Sequence, residues 1–397
     1  MRTFITILIA IGYSLICKAH YREYITLNDG WTIKPISASQ RNAKSEAVTL
    51  PHTWNNKYTN GTNYNRETMV YQRELSVTDK MKEGKRLFLY FEGVNSVANV
   101  FVNYTSAGSH KGGYTAFCIE ITDLVHVGSN QLEVWAGNAF RTDVLPISGD
   151  FNVQGGIHRP VRLIITSQDC IAPDFHASPG ILITQSDVNE RNATLDIKTI
   201  LSINEVSGSY SVRSTVYDRD NNQKGIHTEN LKTTESKKHS FCISKINIPK
   251  PHLWNGLHDP YLYKVRVELL KNGKVIDMIE QPLGIRYFSI SADKGFFLNG
   301  KPYDLHGFNR HDDFYGTGSA LTMKEYLRDI ELIKESYATV VRLAHYPHGE
   351  PIYNLSDSAG VILWTEIPLC GPGGYLFTGF VNDVRDNAIQ TLKEMIY

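Results

Sequence analysis

A short apolar strand that ends in ionisable side chains decides the fold of this sequence. It reads Thr339-Val340-Val341-Arg342-Leu343-Ala344-His345-Tyr346-Pro347-His348. A helix is predicted before it, starting at the capping box Thr322-Met323-Lys324-Glu325, and another after it, from Glu350 to Ala359. A second apolar strand follows at Val361 to Trp364. Apolar strands separated by amphipathic helices predict a parallel sheet.

The same pattern extends in both directions. A strand is predicted at Tyr303 to Phe308, and a last helix has one apolar face, made of Val381, Val384, Ala388, Leu392 and Ile396. This is β-α repeated three times, whereas an eight-fold barrel needs roughly 250 residues. We therefore expect the first three βα units of a TIM barrel over residues 288 to 397. Either this sequence is part of a longer enzyme that contains the other βα units, or something else completes the barrel.

The sequence before the barrel is predicted to be all β. Over residues 20 to 172, strands such as Arg86 to Phe91 alternate with glycine-containing breaks, which predicts a jelly-roll-like β-sandwich. Residues 173 to 287 contain strictly alternating strands at Leu195 to Ile203 and Tyr261 to Leu269. Asn272-Gly273 then supplies a tight hairpin. This second unit is predicted to be an immunoglobulin-like sandwich.

The N-terminus predicts export. A basic start is followed by the apolar run Phe4 to Cys17, and small residues then offer a cleavage site near Ala19. We interpret residues 1 to 19 as a signal peptide, with a lipoprotein anchor on Cys17 as the rival interpretation. No later segment has the roughly 18 apolar residues that a membrane span needs. The expected location is the periplasm or the extracellular space.

Charge and cysteine content narrow the choice of partners. Lysine plus arginine and aspartate plus glutamate both number 41, so no basic field favours a nucleic acid. The wide, irregular spacing of Cys118, Cys170, Cys242 and Cys370 predicts isolated buried thiols, not disulfides or a zinc site. We predict no cofactor.

Polar side chains follow each predicted barrel strand. They are Asn309-Arg310-His311-Asp312-Asp313 after the first, Arg342 to His348 on the second, and Glu366 after the third. Because the carboxyl ends of barrel strands meet at one rim, we expect a site there. Asp312 and Asp313 point in different directions as neighbours, so they are expected to be solvated or helix-orienting charges and not a catalytic pair.

Several separated motifs resemble glycoside hydrolase family 2, the group of β-galactosidases, β-glucuronidases and β-mannosidases. The barrel motifs are Asn309-Arg310-His311-Asp312 and Arg342 to Pro347, and Phe297 to Pro302 resembles the entrance to the barrel. Pro51 to Asn55, Gly112 to Phe117 and Gly155 to Val161 resemble the sugar-binding sandwich of the family. The likeness covers essentially the whole chain after the signal peptide, in the family's domain order.

The resemblance implies retaining hydrolysis by two glutamates, which the family places after the fourth and seventh barrel strands. Both are therefore expected beyond Tyr397, and this chain alone is predicted to be inactive. The residues Asn309-Arg310-His311 and His345-Tyr346-Pro347-His348 favour a β-galactosidase, with a β-glucuronidase as the alternative. A third possibility is a non-catalytic carbohydrate-binding protein.

The resemblance also implies which residues bind the carbohydrate substrate. These are Asp150, Asn309, His311, Arg342 and His345. Glu366 is a further candidate, which either contacts the sugar directly or orients Arg342 or His311 by a charge-assisted hydrogen bond. A structural metal is not expected, because the stretch after Glu366 reads Cys370-Gly371-Pro372-Gly373 where some relatives carry ligands. The oligomeric state stays open.

Overall fold

The computed structural model describes residues 21–36, 44–56, 65–147, 149, 151–204, 208–231, 237–370 and 381–397. The predicted signal peptide, residues 1 to 19, and the predicted site residue Asp150 lie outside these ranges. The described chain forms two antiparallel β-sandwiches, then a small antiparallel sheet, and then a parallel βα segment.

The first unit is a sandwich of a four-stranded and a six-stranded sheet, whose strand orders are β1-β10-β5-β8 and β3-β2-β4-β9-β6-β7. Its elements are β1 (Glu23–Thr26), β2 (Trp31–Pro35), β3 (Glu46–Val48), β4 (Thr68–Val77), α1 (Asp79–Lys82), β5 (Lys85–Phe91), β6 (Val97–Val102), β7 (Thr105–Lys111), β8 (Phe117–Glu120), β9 (Gly128–Gly137) and β10 (Val161–Ser167). Alternate side chains of the two sheets face each other. Trp31, Tyr71 and Phe91 are fully buried between them.

The second unit is the immunoglobulin-like sandwich. Its strands are β11 (Cys170–Ile171), β12 (Ile181–Ser186), β13 (Asn192–Ile203), β14 (Tyr210–Tyr217), β15 (Gln223–Leu231), β16 (Lys237–Pro249), β17 (Tyr263–Lys271) and β18 (Lys274–Leu283). One sheet has β13 at its centre and the other has the order β15-β14-β17-β18. Asn272 and Gly273 adopt φ angles of 52° and 76°, which confirms the predicted tight hairpin.

A small sheet leads into the parallel segment. It consists of β19 (Phe288–Ser291), β20 (Gly295–Leu298) and β21 (Lys301–Pro302). The parallel segment then contains β22 (Gly307–Arg310), α2 (Met323–Glu335), β23 (Val340–Leu343), α3 (Glu350–Ala359), β24 (Ile362–Thr365) and α4 (Val381–Ile396). The parallel order is β22-β23-β24, and these strands do not close into a barrel within the described residues.

The strand predicted at Tyr303 to Phe308 is wrong in its position. Lys301 and Pro302 pair with β20, and the parallel strand begins only at Gly307. The residues between them are tied elsewhere: Tyr303 Oη accepts from the backbone N–H of Leu257 at 3.1 Å. The capping box at Thr322 and Glu325 is confirmed, with both reciprocal bonds formed.

The apolar face predicted for α4 is corrected as well. Val384 is buried against Leu145 and Ile147 of the first sandwich, but Leu392 and Ile396 are exposed. The buried stripe instead continues through polar residues. They are Asn387, which bonds the backbone of Leu145 (2.9 Å) and Lys111 (3.0 Å), Thr391, and Glu394, which bonds His110 (3.0 Å) and Thr115 (2.6 Å). The helix packs on a hydrogen-bonding edge of the sandwich, which selects polar side chains.

The predicted fold class is confirmed: a sandwich, an immunoglobulin-like sandwich and the start of a βα barrel. Among the described helices, none is long and apolar enough to cross a lipid bilayer. Within the described ranges the four cysteines remain thiols. Cys170 and Cys242 are buried, as expected, whereas Cys118 and Cys370 are only partly buried.

Candidate functional site

The register of the parallel strands brings the predicted residues to one edge. Asn309 lies beside Arg342, and Arg342 lies beside Trp364, so the three strands end at the same level. Their carboxyl ends deliver His311, His345 and Glu366 to a common rim, as in other barrels. The sequence-based expectation that these strand ends converge is therefore met by the geometry.

Arg342 is the centre of a hydrogen-bonded cluster. Its Nε and one terminal nitrogen donate to the two carboxylate oxygens of Glu366, at 2.6 and 2.9 Å. The guanidinium also donates to Asn309 Oδ1 at 3.4 Å and to His345 Nδ1 at 3.1 Å. Four of the predicted residues thus form one connected group. We call it the rim cluster: Asn309, Arg342, His345 and Glu366.

The contact with Arg342 decides the tautomer of His345. A guanidinium has only donors, so His345 Nδ1 must accept and the ring proton sits on Nε2. The Nδ1 atom is also 3.6 Å from the Glu366 carboxylate. His345 Nε2–H is therefore the hydrogen-bond donor of this ring, and it can donate to a hydroxyl oxygen of a ligand.

His311 completes the predicted set within the described residues. Its ring centroid is 5.4 Å from that of His345, with the planes at 70°. Asp150 is outside the described residues, but the next residue, Phe151, has its ring 5.9 Å from His311 and 5.7 Å from His345. The first sandwich therefore contributes directly to this region.

A cavity of about 570 Å³ opens at the rim cluster. Its lining contains Arg342, His345 and Glu366 together with Ile367, Leu369 and Cys370. This volume lies in the range of small-molecule sites. The lining combines polar side chains with the apolar side chains of Ile367 and Leu369, and a sugar ring likewise has both hydroxyl groups and C–H faces.

Asp312 is not a solvated charge, which corrects the expectation from sequence. Its carboxylate is 2% exposed and accepts from Arg159 of the sandwich (2.9 Å), Arg310 (2.9 Å), Tyr326 Oη (3.0 Å) and the Gly349 backbone (3.0 Å). We call Asp312 with its two arginines the buried cluster. Burial alone would raise the pKa of Asp312, but the positive charges around it, that of His348 when protonated and those of Arg159 and Arg310, outweigh burial and hold the pKa well below its usual range. Asp313 is exposed.

His348 lies beside the buried cluster and is neutral. Burial lowers its pKa to about 3, and Arg310 donates to its Nδ1 at 2.9 Å. The other ring nitrogen, Nε2, then carries the proton and faces the Ala344 carbonyl at 3.3 Å. The segment from Ala344 to His348 is thus fixed to the end of β22.

The described residues contain no group of three or more His, Cys, Asp or Glu side chains arranged to hold a metal ion. At the rim, both oxygens of Glu366 are already engaged by Arg342. That no metal binds at Glu366 stays a prediction, as does the lack of a cofactor.

Two contributors escaped the sequence reasoning. Arg159 lies inside the quoted motif Gly155 to Val161, but nothing local shows that it reaches Asp312, 153 residues later. Phe151 follows Asp150 directly, and its position in the sequence was the signal that could have identified it.

Three family models match the chain in the order of its units. They are described as glycosyl hydrolases family 2, sugar binding domain (residues 39–167), glycosyl hydrolases family 2 (180–286), and glycosyl hydrolases family 2, TIM barrel domain (290–393). Together they span most of the chain and all three structural units.

Individual relatives agree with these matches. A β-glucuronidase of Bacteroides fragilis is 40% identical over 98% of this chain and 56% of its own length. A β-galactosidase of Thermoanaerobacter pseudethanolicus is 28% identical over 94% of this chain and 50% of its length. A crystal structure of Bacteroides uniformis β-glucuronidase superposes with a TM-score of 0.86 at 30% identity, covering 94% of this chain and 45% of that one. The chain spans about half the length of these proteins, and it belongs to glycoside hydrolase family 2.

Proposed function

We propose that this family 2 protein hydrolyses terminal β-glycosides with retention of configuration, and that its preferred substrate is a β-glucuronide. The observation that carries the proposal is the rim cluster, three members of which, Arg342, His345 and Glu366, line a sugar-sized cavity at the carboxyl ends of parallel strands. In it, His345 Nε2–H donates to one sugar hydroxyl. Glu366 and Asn309 oxygens have further lone pairs that accept from others.

The described cluster recognises hydroxyl groups and does not by itself choose between sugars. Arg342 is already paired with Glu366, so its charge is not reserved for a substrate carboxylate. The residues of the barrel motifs favour a β-galactoside. Sequence identity moves our preference to the glucuronide, because the relative named β-glucuronidase is 40% identical to this chain and the β-galactosidase cited above is 28% identical.

The retaining mechanism needs two carboxyl groups about 5 to 5.5 Å apart. We propose that both glutamates lie beyond Tyr397, as the family resemblance implies, and that this chain supplies substrate recognition. His311 and His345 bind hydroxyl groups, and Asp150, which lies outside the described residues, is proposed to bind the sugar as well. Export by residues 1 to 19 is part of the proposal, and mass spectrometry of the mature N-terminus tests it.

The activity test uses protein produced from the complete reading frame, with 4-nitrophenyl β-glucuronide and β-galactoside. We expect the larger kcat/KM on the glucuronide. His345→Leu should lower it about 10-fold, since leucine has no donor and the hydrogen bond to the sugar is lost. His126→Leu, at an exposed histidine of the first sandwich, is the matched control and should leave kcat/KM unchanged.

Each alternative has its own outcome. Faster release of 4-nitrophenol from the galactoside than from the glucuronide would overturn the glucuronide preference and favour the β-galactosidase that the motifs predict. Sugar binding without turnover of any glycoside would instead favour the non-catalytic carbohydrate-binding protein. Assaying the 397-residue chain beside the longer product tests whether it is inactive alone.

A further inference from the structure

Phe151 is a sandwich residue whose ring lies among barrel residues. The segment that carries it is held by buried hydrogen bonds to the sandwich. Thr53 Oγ1 donates to the Gly155 carbonyl at 2.8 Å, and the Gly155 N–H donates to Asn55 Oδ1 at 2.7 Å. Asn138 Nδ2 donates to the Val153 carbonyl at 3.0 Å. Because these donors and acceptors are buried, breaking them is costly, and the segment is rigidly attached.

The ring of Phe151 is also fixed from its own side. It folds back over Gly149, where a Cβ atom would lie only 2.6 Å from Phe151 Cε1. Any larger residue at position 149 would therefore displace the ring. Glycine at position 149 therefore allows the ring to lie where it does.

Phe151 contacts three aromatic rings of the barrel segment. Its ring is stacked on His345 with 22° between the planes, and it lies 5.9 Å from His311 and 5.1 Å from Tyr346. Tyr346 in turn stacks on Tyr114 of the sandwich at 4.0 Å. Rings from the two units thus alternate along one line of contacts, Tyr114, Tyr346, Phe151 and His345, in which the two outer pairs are stacked and the middle pair is tilted by 50°.

We propose that Phe151 is a positioning residue through which the first sandwich orients the imidazole rings of His345 and His311 for the sugar. His345 then has two independent restraints. Arg342 fixes the tautomer and one edge of the ring, and Phe151 fixes the plane of the ring. Together they aim Nε2–H in one direction. The inference rests on the proposed function, since it concerns how that site recognises its substrate.

A double-mutant cycle on the full-length protein tests this role. Phe151→Leu keeps apolar bulk but removes the flat face, so we expect a loss of kcat/KM of up to about 10-fold, the loss expected for removing His345, from misplacement of the hydroxyl donor. In a background of His345→Leu the same change should cost under about 3-fold, because only His311 is left for the ring of Phe151 to orient. A residue needed only for folding would cost the same in both backgrounds.

The matched control is Phe101→Leu, at a partly buried phenylalanine that packs on Trp135 of the same sandwich, 5.0 Å away. It should leave kcat/KM unchanged. Phe151→Tyr, which keeps the ring, should restore most of the activity. Equal losses for Phe151→Leu in both backgrounds, or no loss at all, would overturn the proposal.

A second measurement does not depend on turnover. In protein labelled with ¹³C at histidine Cε1, the His345 resonance is shifted by the stacked ring of Phe151. That shift should disappear in Phe151→Leu and persist in Phe101→Leu. If it disappears while no glycoside is cleaved, the proposed function fails and the positioning stands. If glycosides are cleaved and the resonance does not move, the positioning fails alone.

Discussion

Two arginine–carboxylate groups lie on neighbouring strand ends of this molecule and differ chiefly in burial. In the buried cluster, the side chains of Arg159, Arg310 and Asp312 are 4, 6 and 2% exposed. In the rim cluster, those of Arg342 and Glu366 are 34 and 22% exposed. Both use charged hydrogen bonds of similar length.

The difference in burial separates structure from chemistry. Both oxygens of Asp312 accept from protein donors and the side chain is buried, so the buried cluster serves to hold the sandwich against the barrel. The side chains of Arg342 and Glu366 in the rim cluster are partly exposed, so a sugar hydroxyl can reach them. Chemical identity of the side chains alone would not distinguish the two groups.

Burial should make the carboxylate of Asp312 contribute much more to stability than that of Glu366. Asp312→Asn removes the bonded carboxylate of buried Arg159 and leaves Arg310 with Asp329 as its remaining carboxylate partner, at 2.7 Å. We expect a loss of about 3 to 5 kcal/mol in the free energy of unfolding. Glu366→Gln, the equivalent change in the rim cluster, should cost about 1 kcal/mol or less. Urea denaturation followed by circular dichroism measures both. Similar losses would show that burial does not distinguish the clusters.

The pH dependence of stability tests whether His348, beside the buried cluster, is neutral in the folded protein. The folded pKa of His348, about 3, is below the ordinary value of 6.5. Between these values the unfolded chain binds a proton that the folded chain does not, so stability falls as pH falls. From pH 7 to pH 5 the loss from this residue should be about 2 kcal/mol. Asp312 adds to it only below its ordinary pKa of 3.8.

The variant His348→Gln isolates this contribution. Glutamine can still accept from Arg310 and donate to the Ala344 carbonyl, but it does not titrate. The difference in unfolding free energy between pH 7 and pH 5 should therefore shrink by about 2 kcal/mol in the variant. His158, whose pKa is also lowered by burial, to about 4, is present in both proteins and cancels. An unchanged pH slope would contradict the neutral state of His348.

The smallest effect on the free energy of unfolding is expected at an exposed group of three charged side chains. Asp143 binds Arg141 at 2.7 Å and Lys111 at 2.6 Å, and these side chains are between 30 and 51% exposed. Despite the short distances, Asp143→Asn should change the unfolding free energy by less than about 1 kcal/mol, and added salt should remove the difference. A loss as large as that of Asp312→Asn would mean that bond length, and not burial, sets the contribution.

Features that depend on neighbouring residues could be predicted from the sequence. The helix Glu350–Ala359 ends at Gly360, which adopts a φ angle of 80°, and the capping box marks the start of α2. The convergence of His311, Arg342, His345 and Glu366 also followed, because parallel strands in register align their ends. These inferences needed only local chemistry and the order of the elements.

Features that depend on distant partners could not be predicted. The burial of Asp312 requires Arg159 from another unit, and no periodicity reveals a contact across 153 positions. The buried face of α4 follows the hydrogen-bonding edge of the sandwich and not the apolar residues of the helix. Phe151 follows a glycine and an aspartate, which are typical of turns, and only the folded chain shows its ring among the histidines.

The docking of α4 has a consequence for how a ligand reaches the rim. The first sandwich is attached to the barrel segment at two separate places, at Asp312 through Arg159 and at Glu394 through His110 and Thr115. Rotation about one of these attachments is opposed by the other. Hinge motion about any axis other than the line joining the two attachments would have to break at least one of them. We therefore expect crystal structures with and without sugar to differ in side-chain rotamers and bound water, with the relative orientation of the two units preserved.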